Sequence, residues 1–176
     1  MTLGVQRTPD GYRVEVSRYI DAPREVLWDL LTDTTRWPDW GPSVEEVVYP
    51  DRYIRRGERG RVRVSDGLGG VWVPFQITSC ADYRWTWSVS PPTLGLGAFD
   101  LAPRVPATGH RVERTPPYVE RECDPSRTRH QSTQSATDSS RIVFEIPPLA
   151  AGYAIICERA LIKLDRIAAR ETVGEK

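Results

Sequence analysis

Six tryptophans occur among the 176 residues of this chain, and they are the side chains best suited to shape a binding site. An indole ring offers a large apolar wall and one N–H donor, a suitable lining for a flat or steroid-like ligand. Trp85 and Trp87 are two residues apart in a strand-like segment, so both rings should project into the same space. We expect Trp40, Trp85 and Trp87 to line part of an apolar cavity; the alternative is that these rings simply fill the core.

Three further side chains could carry polar chemistry. His110 is the one histidine inside a predicted strand, and a histidine facing inward can act as a proton shuttle near neutral pH. No acidic or nucleophilic partner is fixed by spacing, so a hydrogen-bonded structural role is the alternative. Tyr153 and Cys157 lie four apart on a predicted helix and should point the same way, toward the cavity. Cys157 is expected to be a small buried hydrophobe rather than a reactive thiol.

The elements that carry these residues follow an α+β order. Tyr12–Ile20 alternates with period two and predicts a first strand, and residues 21–33 predict a short amphipathic helix. Residues 34–42 contain Pro38 and Pro42 and are expected to form a rigid aromatic loop. Further strands are predicted at Val44–Tyr49, Gly60–Ser65, Val71–Thr78, Arg84–Ser90, Ala107–Glu113 and Arg141–Ile146. A single apolar stripe predicts one long helix from Leu149 to about Ala169, so a curved antiparallel sheet should wrap around a terminal helix.

Residues 114–140 do not fit this pattern. They are rich in Pro, Ser and Thr, and large apolar residues are nearly absent after Cys123. Such a long structureless connection is uncommon between strands of a compact domain, so we predict a mobile insertion, with a regulated lid as the alternative. The whole chain, residues 1–176, is otherwise expected to be a single domain.

The charge balance argues against polyanionic partners. The chain carries 24 basic and 24 acidic residues, for a formal net charge of zero, so neither a nucleic-acid nor an anionic-membrane partner is expected. The arginines between residues 52 and 63 are interspersed with acidic residues such as Glu58. They are expected to form a solvated strand edge rather than a phosphate-binding surface.

Several other classes of protein are disfavoured. No stretch approaches the ~20 apolar residues of a membrane span, and the first ten residues lack the apolar core of a signal peptide. The 3 cysteines are far apart and odd in number, which fits a reducing cytoplasm. No metal site and no cofactor is expected, because neither zinc-ligand spacing nor a phosphate-binding glycine motif is present.

Two segments carry a resemblance to a known family. Residues 18–33 (RYIDAPREVLWDLLTD) and 37–40 (WPDW) resemble the opening of the SRPBCC superfamily, which includes polyketide cyclases, START lipid-transfer domains and birch-pollen-allergen-like proteins. Residues 85–87, 107–113 and 141–147 are similar to the bacterial polyketide cyclase/dehydrase branch. The resemblance implies a helix-grip fold, in which the sheet and the terminal helix enclose a deep cavity for an apolar ligand.

The resemblance also bears on the strand at residues 71–78. Aromatic polyketide cyclases carry Trp-x-Ser-x-Arg here, which registers on Trp72, Pro74 and Gln76 and would make these positions face the pocket. The serine and the arginine are then replaced, and a neutral amide stabilises a developing enolate far less than a guanidinium does. Hydrophobic alternation instead places Phe75 on the buried face. Both Trp72 and Phe75 are therefore candidate ligand contacts.

Three functions are consistent with these features. The favoured hypothesis is a non-catalytic carrier or sensor that binds a lipid, polyketide or aromatic molecule in its cavity. The alternative is a polyketide cyclase or dehydratase with His110 and Tyr153 as acid/base groups, although no catalytic residue is firmly indicated. A third option is a protein-interaction module that uses the outer sheet and the insertion. The sequence indicates neither the identity of a ligand nor the oligomeric state.

Overall fold

A single antiparallel sheet carries most of the chain in the computed structural model, which describes residues 2–65, 70–89, 105–115 and 139–174. Its strands are β1 (Thr2–Thr8), β2 (Gly11–Ile20), β3 (Val44–Val48), β4 (Arg59–Val64), β5 (Val71–Ala81), β6 (Arg84–Val89), β7 (Val105–Arg114) and β8 (Ser140–Ile146). The helices are α1 (Arg24–Thr32), α2 (Trp37–Trp40) and α3 (Ala154–Gly174), with 3-10 turns at Thr34–Arg36 and Pro148–Tyr153. The eight strands lie in the order β1-β2-β8-β7-β6-β5-β4-β3.

Helix α3 lies against the concave face of this sheet. Its apolar stripe is buried. Five side chains of the stripe are at most 3 % exposed: Cys157, Ala160, Leu161, Leu164 and Ala168. An ion pair between Arg18 on β2 and Asp165 on α3, 2.7 Å long, ties the helix to the strand beneath it. The predicted α+β helix-grip architecture is therefore confirmed.

The terminal helix begins later than the sequence predicted. We expected one helix from Leu149, but residues Pro148–Tyr153 form a 3-10 turn and α3 starts at Ala154. Ala150 leaves the helical region, with φ −105° and ψ 21°, and Leu149 is 98 % exposed. The apolar stripe of a helix needs a surface to bury it, and the first residues of the expected helix do not have one.

Strand β1 was absent from the sequence prediction. It pairs along its full length with β2 through a hairpin at Thr8–Gly11, where Gly11 takes a φ of +100° that favours glycine. Leu3 and Val5 are 61 % and 68 % exposed, so the strand has no fully buried face. Backbone pairing to β2, rather than burial, holds β1, and the only local signal was the turn sequence Pro-Asp-Gly.

The segment expected to be a rigid loop forms two short helical turns. Pro38 sits in the first turn of α2, where a missing N–H and a fixed φ are tolerated, so proline does not oppose this helix. The indole Nε1 of Trp37 donates to the carbonyl of Leu31 at 3.0 Å, and that of Trp40 donates to the carbonyl of Leu30 at 2.9 Å. Both tryptophans thereby satisfy carbonyls that the end of α1 leaves without helical partners.

This capping role predicts a stability loss in Trp37→Phe. The substitution leaves the Leu31 carbonyl buried without a donor, which should cost about 1–3 kcal/mol of unfolding free energy, plus the loss of packing. Trp72→Phe on the outer face of the sheet is the matched control, and it should cost much less. Urea unfolding of both variants measures the difference; equal losses would contradict the capping role.

The predicted insertion at 114–140 lies mostly outside the described residues. Arg114 on β7 pairs with Ser140 on β8, and the N–H of Thr115 bonds to the carbonyl of Ser139 at 3.1 Å. The two ends of the segment are therefore adjacent, and residues 116–138 lie beyond the described part of the chain. Its mobility stays a prediction.

Three of the arginines in the 52–63 stretch form ion pairs with nearby carboxylates. Arg52 pairs with Asp33 at 2.7 Å, Arg55 with Asp51 at 3.2 Å, and Arg63 with Glu45 at 3.3 Å. These contacts fit the expected solvated strand edge. Among the helices that the structure describes, none combines the length and apolarity that crossing a membrane requires.

Candidate ligand-binding site

A row of aromatic side chains crosses the concave face of the sheet. Trp85 on β6 is directly opposite His110 on β7, and His110 is directly opposite Phe144 on β8. The Trp85 and His110 rings stack with centroids 4.2 Å apart at 13°, and His110 meets Phe144 edge-on at 4.5 Å and 73°. Three neighbouring strands thus present a continuous aromatic floor, which cross-strand pairing fixes in place.

Helix α2 supplies a second aromatic wall above this floor. Trp37 stacks on Trp85 with centroids 5.4 Å apart at 12°, and it meets Trp87 edge-on at 5.5 Å. Trp40 lies 6.5 Å from His110, and both lie against the same enclosed space. Because the N–H groups of Trp37 and Trp40 are held by α1, these two rings are fixed relative to the sheet.

The walls enclose a small cavity that α3 closes from above. Its lining comprises Trp37, Trp40, Gly41, Pro42, Val44, Trp85, Trp87, Thr108, His110, Phe144, Tyr153, Ile156, Cys157 and Ala160. The volume of this cavity is about 30 Å³. A single water needs roughly 10–15 Å³ of such space, so the cavity has room for about two waters and must widen for a larger ligand.

His110 is buried in an apolar setting and carries no charge at neutral pH. The side chain is 5 % exposed, and burial lowers its pKa to about 3. A neutral imidazole can accept or donate a hydrogen bond, but it does not supply a proton as imidazolium would. Its Nδ1 has no hydrogen-bond partner among the described residues.

Tyr153 and Cys157 are protonated at neutral pH for the same reason. Burial of the hydroxyl raises the pKa of Tyr153 to about 12, although 39 % of the side chain is exposed. The nearby side chain of Ser43 acts in the opposite direction and lowers this pKa, but burial outweighs it. Burial raises the pKa of the Cys157 thiol to about 12, and the side chain is 2 % exposed, as expected for a small buried hydrophobe.

The structure brings most of the predicted site residues together. Six of them line the cavity: Trp40, Trp85, Trp87, His110, Tyr153 and Cys157. Phe75 is 2 % exposed and packs against Trp37 and Trp87, so it belongs to the core beside the cavity rather than to its lining. Trp72 lies on the other face of the sheet, beneath the guanidinium of Arg61 at 4.7 Å.

The position of Trp72 shows that the registration with the cyclase motif was wrong. Gln76, the counterpart of the cyclase arginine, donates to the carbonyl of Gly57 at 3.0 Å in an exposed hydrogen bond. Phe75 and Ile77 occupy the inward positions of β5 and are at most 2 % exposed. Burial of these apolar side chains fixes the register, because a one-residue slip would turn them to solvent.

Sequence reasoning missed several lining residues that were recognisable in hindsight. Phe144 alternates with Ile142 and Ile146 on β8, and all three are at most 2 % exposed. Ile156 and Ala160 continue the helical spacing of Tyr153. The sequence shows both the alternation along β8 and the apolar stripe of α3, but neither pattern indicates which of its residues borders a cavity.

The chemistry of the lining is apolar and uncharged. Among the described residues, none of those that line the cavity carries a formal charge at neutral pH. In the same part of the chain, no group of three or more His, Cys, Asp or Glu side chains is placed to hold a metal ion. The arrangement can surround an apolar molecule and offer it a few hydrogen bonds.

A sheet that grips a terminal helix over an aromatic, uncharged cavity defines the class of helix-grip proteins. Within that class, residues 12–121 match the model of the polyketide cyclase/dehydrase and lipid transport family, and the chain belongs to this family. No curated protein matches the chain by sequence.

Three solved structures share the fold. A hypothetical protein from Helicobacter pylori matches with a TM-score of 0.57 and 11 % identity, covering 88 % of this chain and 86 % of that one. A protein from Mesorhizobium loti matches with a TM-score of 0.53 and 17 % identity, covering 90 % and 97 %. The protein XoxI from Bacillus cereus matches with a TM-score of 0.54 and 13 % identity, covering 89 % and 95 %. At these identities the likeness concerns the fold alone.

Proposed function

We propose that this protein binds a small hydrophobic molecule in the cavity between the sheet and α3, as a carrier or sensor. The observation that carries the proposal is the lining, which consists of aromatic and aliphatic side chains with few polar groups and no charged one among the described residues. Apolar pockets with a small number of placed polar groups are typical of small-molecule sites.

The protonation states favour binding over catalysis. His110 and Tyr153 were the candidate acid/base groups for a cyclase or dehydratase, but burial shifts the pKa of His110 to about 3 and that of Tyr153 to about 12. A general acid–base pair works best with pKa values near the operating pH. Glu145 on β8 is a buried carboxylate next to the cavity residue Phe144 in the sequence. Because successive side chains of a strand point to opposite faces, Glu145 faces away from the cavity.

Entry of a ligand requires the cavity to widen from its present ~30 Å³. Tyr153 is the last residue of the 3-10 turn before α3, is 39 % exposed, and has the side chain of Ser43 near its hydroxyl. Separation of this contact would open the space between α3 and the α2–β3 connection without breaking the sheet. We therefore place the entrance at Tyr153.

Filling the cavity should weaken binding. Ala160 lines the cavity and is 3 % exposed, so Ala160→Phe projects a ring into the ligand space and should weaken binding by about tenfold or more. Ala169→Phe, at an exposed position of the same helix, is the matched control and should bind as the parent does. The readout is quenching of the cavity tryptophans by a panel of neutral polycyclic aromatics and lipids.

Native mass spectrometry of the purified protein provides a second measurement, since a carrier often retains its ligand. Equal quenching of the parent protein and Ala160→Phe by every compound that binds would show that binding occurs outside the cavity. The absence of both a retained molecule and any quenching would overturn the proposed function.

A further inference from the structure

The two edges of the sheet are built differently. At one edge, β3 has 5 residues, carries the adjacent Glu45 and Glu46, and shifts its register with β4 between Val44 and Glu46. Short length, irregular register and charged side chains are features by which natural sheets prevent a further strand from pairing with an edge. The β3 edge is therefore protected.

The opposite edge, formed by β1, lacks these protections. Its 7 residues pair with β2 in an uninterrupted register, and Arg7 is the single charged residue of the strand. Among the described residues, no element pairs with the outer side of β1, because this strand ends the strand order of the sheet. Its outward backbone N–H and C=O groups are therefore open to another strand.

Apolar side chains accompany this open edge. Leu3 and Val5 lie directly opposite Val16 and Val14 on β2, and Val16 is fully buried on the concave face. Residues directly opposite each other share a face of the sheet, so Leu3 and Val5 also lie on the concave side. They are nevertheless 61 % and 68 % exposed, and Tyr12 on the same face of β2 is 65 % exposed.

The 3-10 turn before α3 extends this apolar surface. Strand β8 ends at Ile146, opposite Val14, so the turn that follows begins beside the Tyr12 end of β2, which it contacts. Leu149 in this turn is 98 % exposed. Exposed apolar side chains that are grouped, rather than scattered singly, mark an interaction surface.

A second copy of the chain fits this surface. Antiparallel pairing of two β1 strands about a two-fold axis at Val5, the midpoint of the strand, pairs all 7 residues of each copy. Leu3 then lies opposite Arg7, so the only charge of the strand meets no like charge. The formal net charge of zero means that two copies do not repel each other as a whole. Each copy covers the open edge of the other, which gives a closed two-fold assembly.

We propose that two copies of this protein form a symmetric dimer by pairing their β1 strands, so that one antiparallel sheet runs through both molecules. Backbone hydrogen bonds supply the pairing. Leu3 and Val5 of the two copies pack together on the concave side, flanked by Tyr12 and Leu149. This dimer needs no ligand in the cavity, so it stands independently of the binding function proposed above.

Sedimentation equilibrium of the full chain at about 1–100 µM tests the dimer, the range in which small interfaces associate. The parent protein should reach twice the 19.9 kDa mass of the chain. Val5→Lys places two like charges directly opposite each other at the axis and removes buried apolar surface, so it should weaken the dimer by about tenfold or more. Val48→Lys, at a 41 % exposed position of the β3 edge, is the matched control and should dimerise as the parent does.

A charge exchange tests whether β1 pairs with itself. Val5→Glu should also weaken the dimer when it is measured alone, because two carboxylates then face each other. An equimolar mixture of Val5→Lys and Val5→Glu should restore the dimer, since the introduced ammonium of one copy faces the introduced carboxylate of the other. Restoration also shows that both variants are folded.

The outcomes separate the parts of the proposal. A parent protein that stays at 19.9 kDa at the highest concentration overturns a second copy as the occupant of the edge. A dimer that persists in Val5→Lys, or that is weakened equally by Val48→Lys, overturns the assignment of the interface to β1. Failure of the mixture to restore the dimer overturns the pairing about Val5.

Discussion

Glu145→Ala should be the most destabilising single substitution considered for this protein, lowering the free energy of unfolding by about 3–5 kcal/mol. The Glu145 side chain is fully buried, and its carboxylate accepts from Arg84 at 2.6 Å and from Arg111 at 2.7 Å. Removal of the carboxylate leaves Arg84 paired with Asp10 alone, and it leaves Arg111 with Glu15 and Glu113, while the two guanidinium side chains stay only 20 % and 23 % exposed. For a domain of this size the loss corresponds to a fall in Tm of roughly 6–20 °C, measurable by calorimetry.

The backbone near Glu145 is adapted to hold this carboxylate. Gly109 on β7 is directly opposite Glu145, and a Cβ at position 109 would stand 2.5 Å from the carboxylate Oε2. Glycine therefore leaves the space in which the carboxylate reaches both arginines. This close approach explains a glycine inside a strand, where it would otherwise weaken the element.

Glu113→Ala is the matched control for Glu145→Ala. Glu113 also pairs with Arg111, at 2.7 Å, but its side chain is 38 % exposed. Solvent screens such a pair, so the loss should stay within about 1 kcal/mol. Similar losses in the two variants would show that burial of the Glu145 carboxylate does not set its contribution.

The second large effect is a loss of stability in mild acid that depends on His110. Burial lowers the pKa of His110 to about 3 in the folded protein, below its ordinary value of 6.5. The unfolded chain therefore binds a proton below pH 6.5 that the folded protein does not bind until about pH 3. Stability is full above pH 6.5 and falls by about 1.4 kcal/mol per pH unit below it, so about 3 kcal/mol is lost at pH 4.5.

The pH window separates this histidine from the buried carboxylate of Asp33. Burial tends to raise the pKa of Asp33, but hydrogen bonds from Arg52 and Thr35 outweigh this effect and hold the pKa below its ordinary value of 3.8. Asp33 therefore stays ionised at pH 4.5. His110→Gln should therefore unfold with a much weaker pH dependence between 6.5 and 4.5 than the parent protein. Urea unfolding across this range is the measurement, and parallel curves for the two proteins would contradict a buried neutral His110.

The same protonation state has a consequence for ligand release. Transfer of the protein to pH 4.5 lowers the stability of the folded form without charging the cavity, because His110 stays neutral until about pH 3. Any ligand released in mild acid would then leave through partial unfolding rather than through a charge in the lining.

The sequence by itself determined the repeating parts of this structure. Period-two alternation in Tyr12–Ile20 and a single apolar stripe along the terminal helix predict a strand and a helix, because each must bury one face. Together with the resemblance in residues 18–40, they indicated the helix-grip fold that the structure shows. The spacing of Trp85 and Trp87 also predicted two residues of the cavity lining, because alternation places both on one face of the strand.

Only the tertiary structure decided which of these residues do more than fill space. Hydrophobic alternation placed Phe75 on the inward face of β5 and the motif registration placed Trp72 there, and only the burial of Phe75 and Ile77 against distant elements decided between the two. The indole caps on α1 and the paired Glu145 depend on partners that are 6 to 61 residues away along the chain. The tryptophans therefore differ in their environment: the N–H groups of Trp37 and Trp40 donate to backbone carbonyls, and the buried N–H of Trp85 has no partner among the described residues. Hydrogen bonds between distant residues form only when packing brings them together, so spacing in the sequence does not reveal which donor remains free.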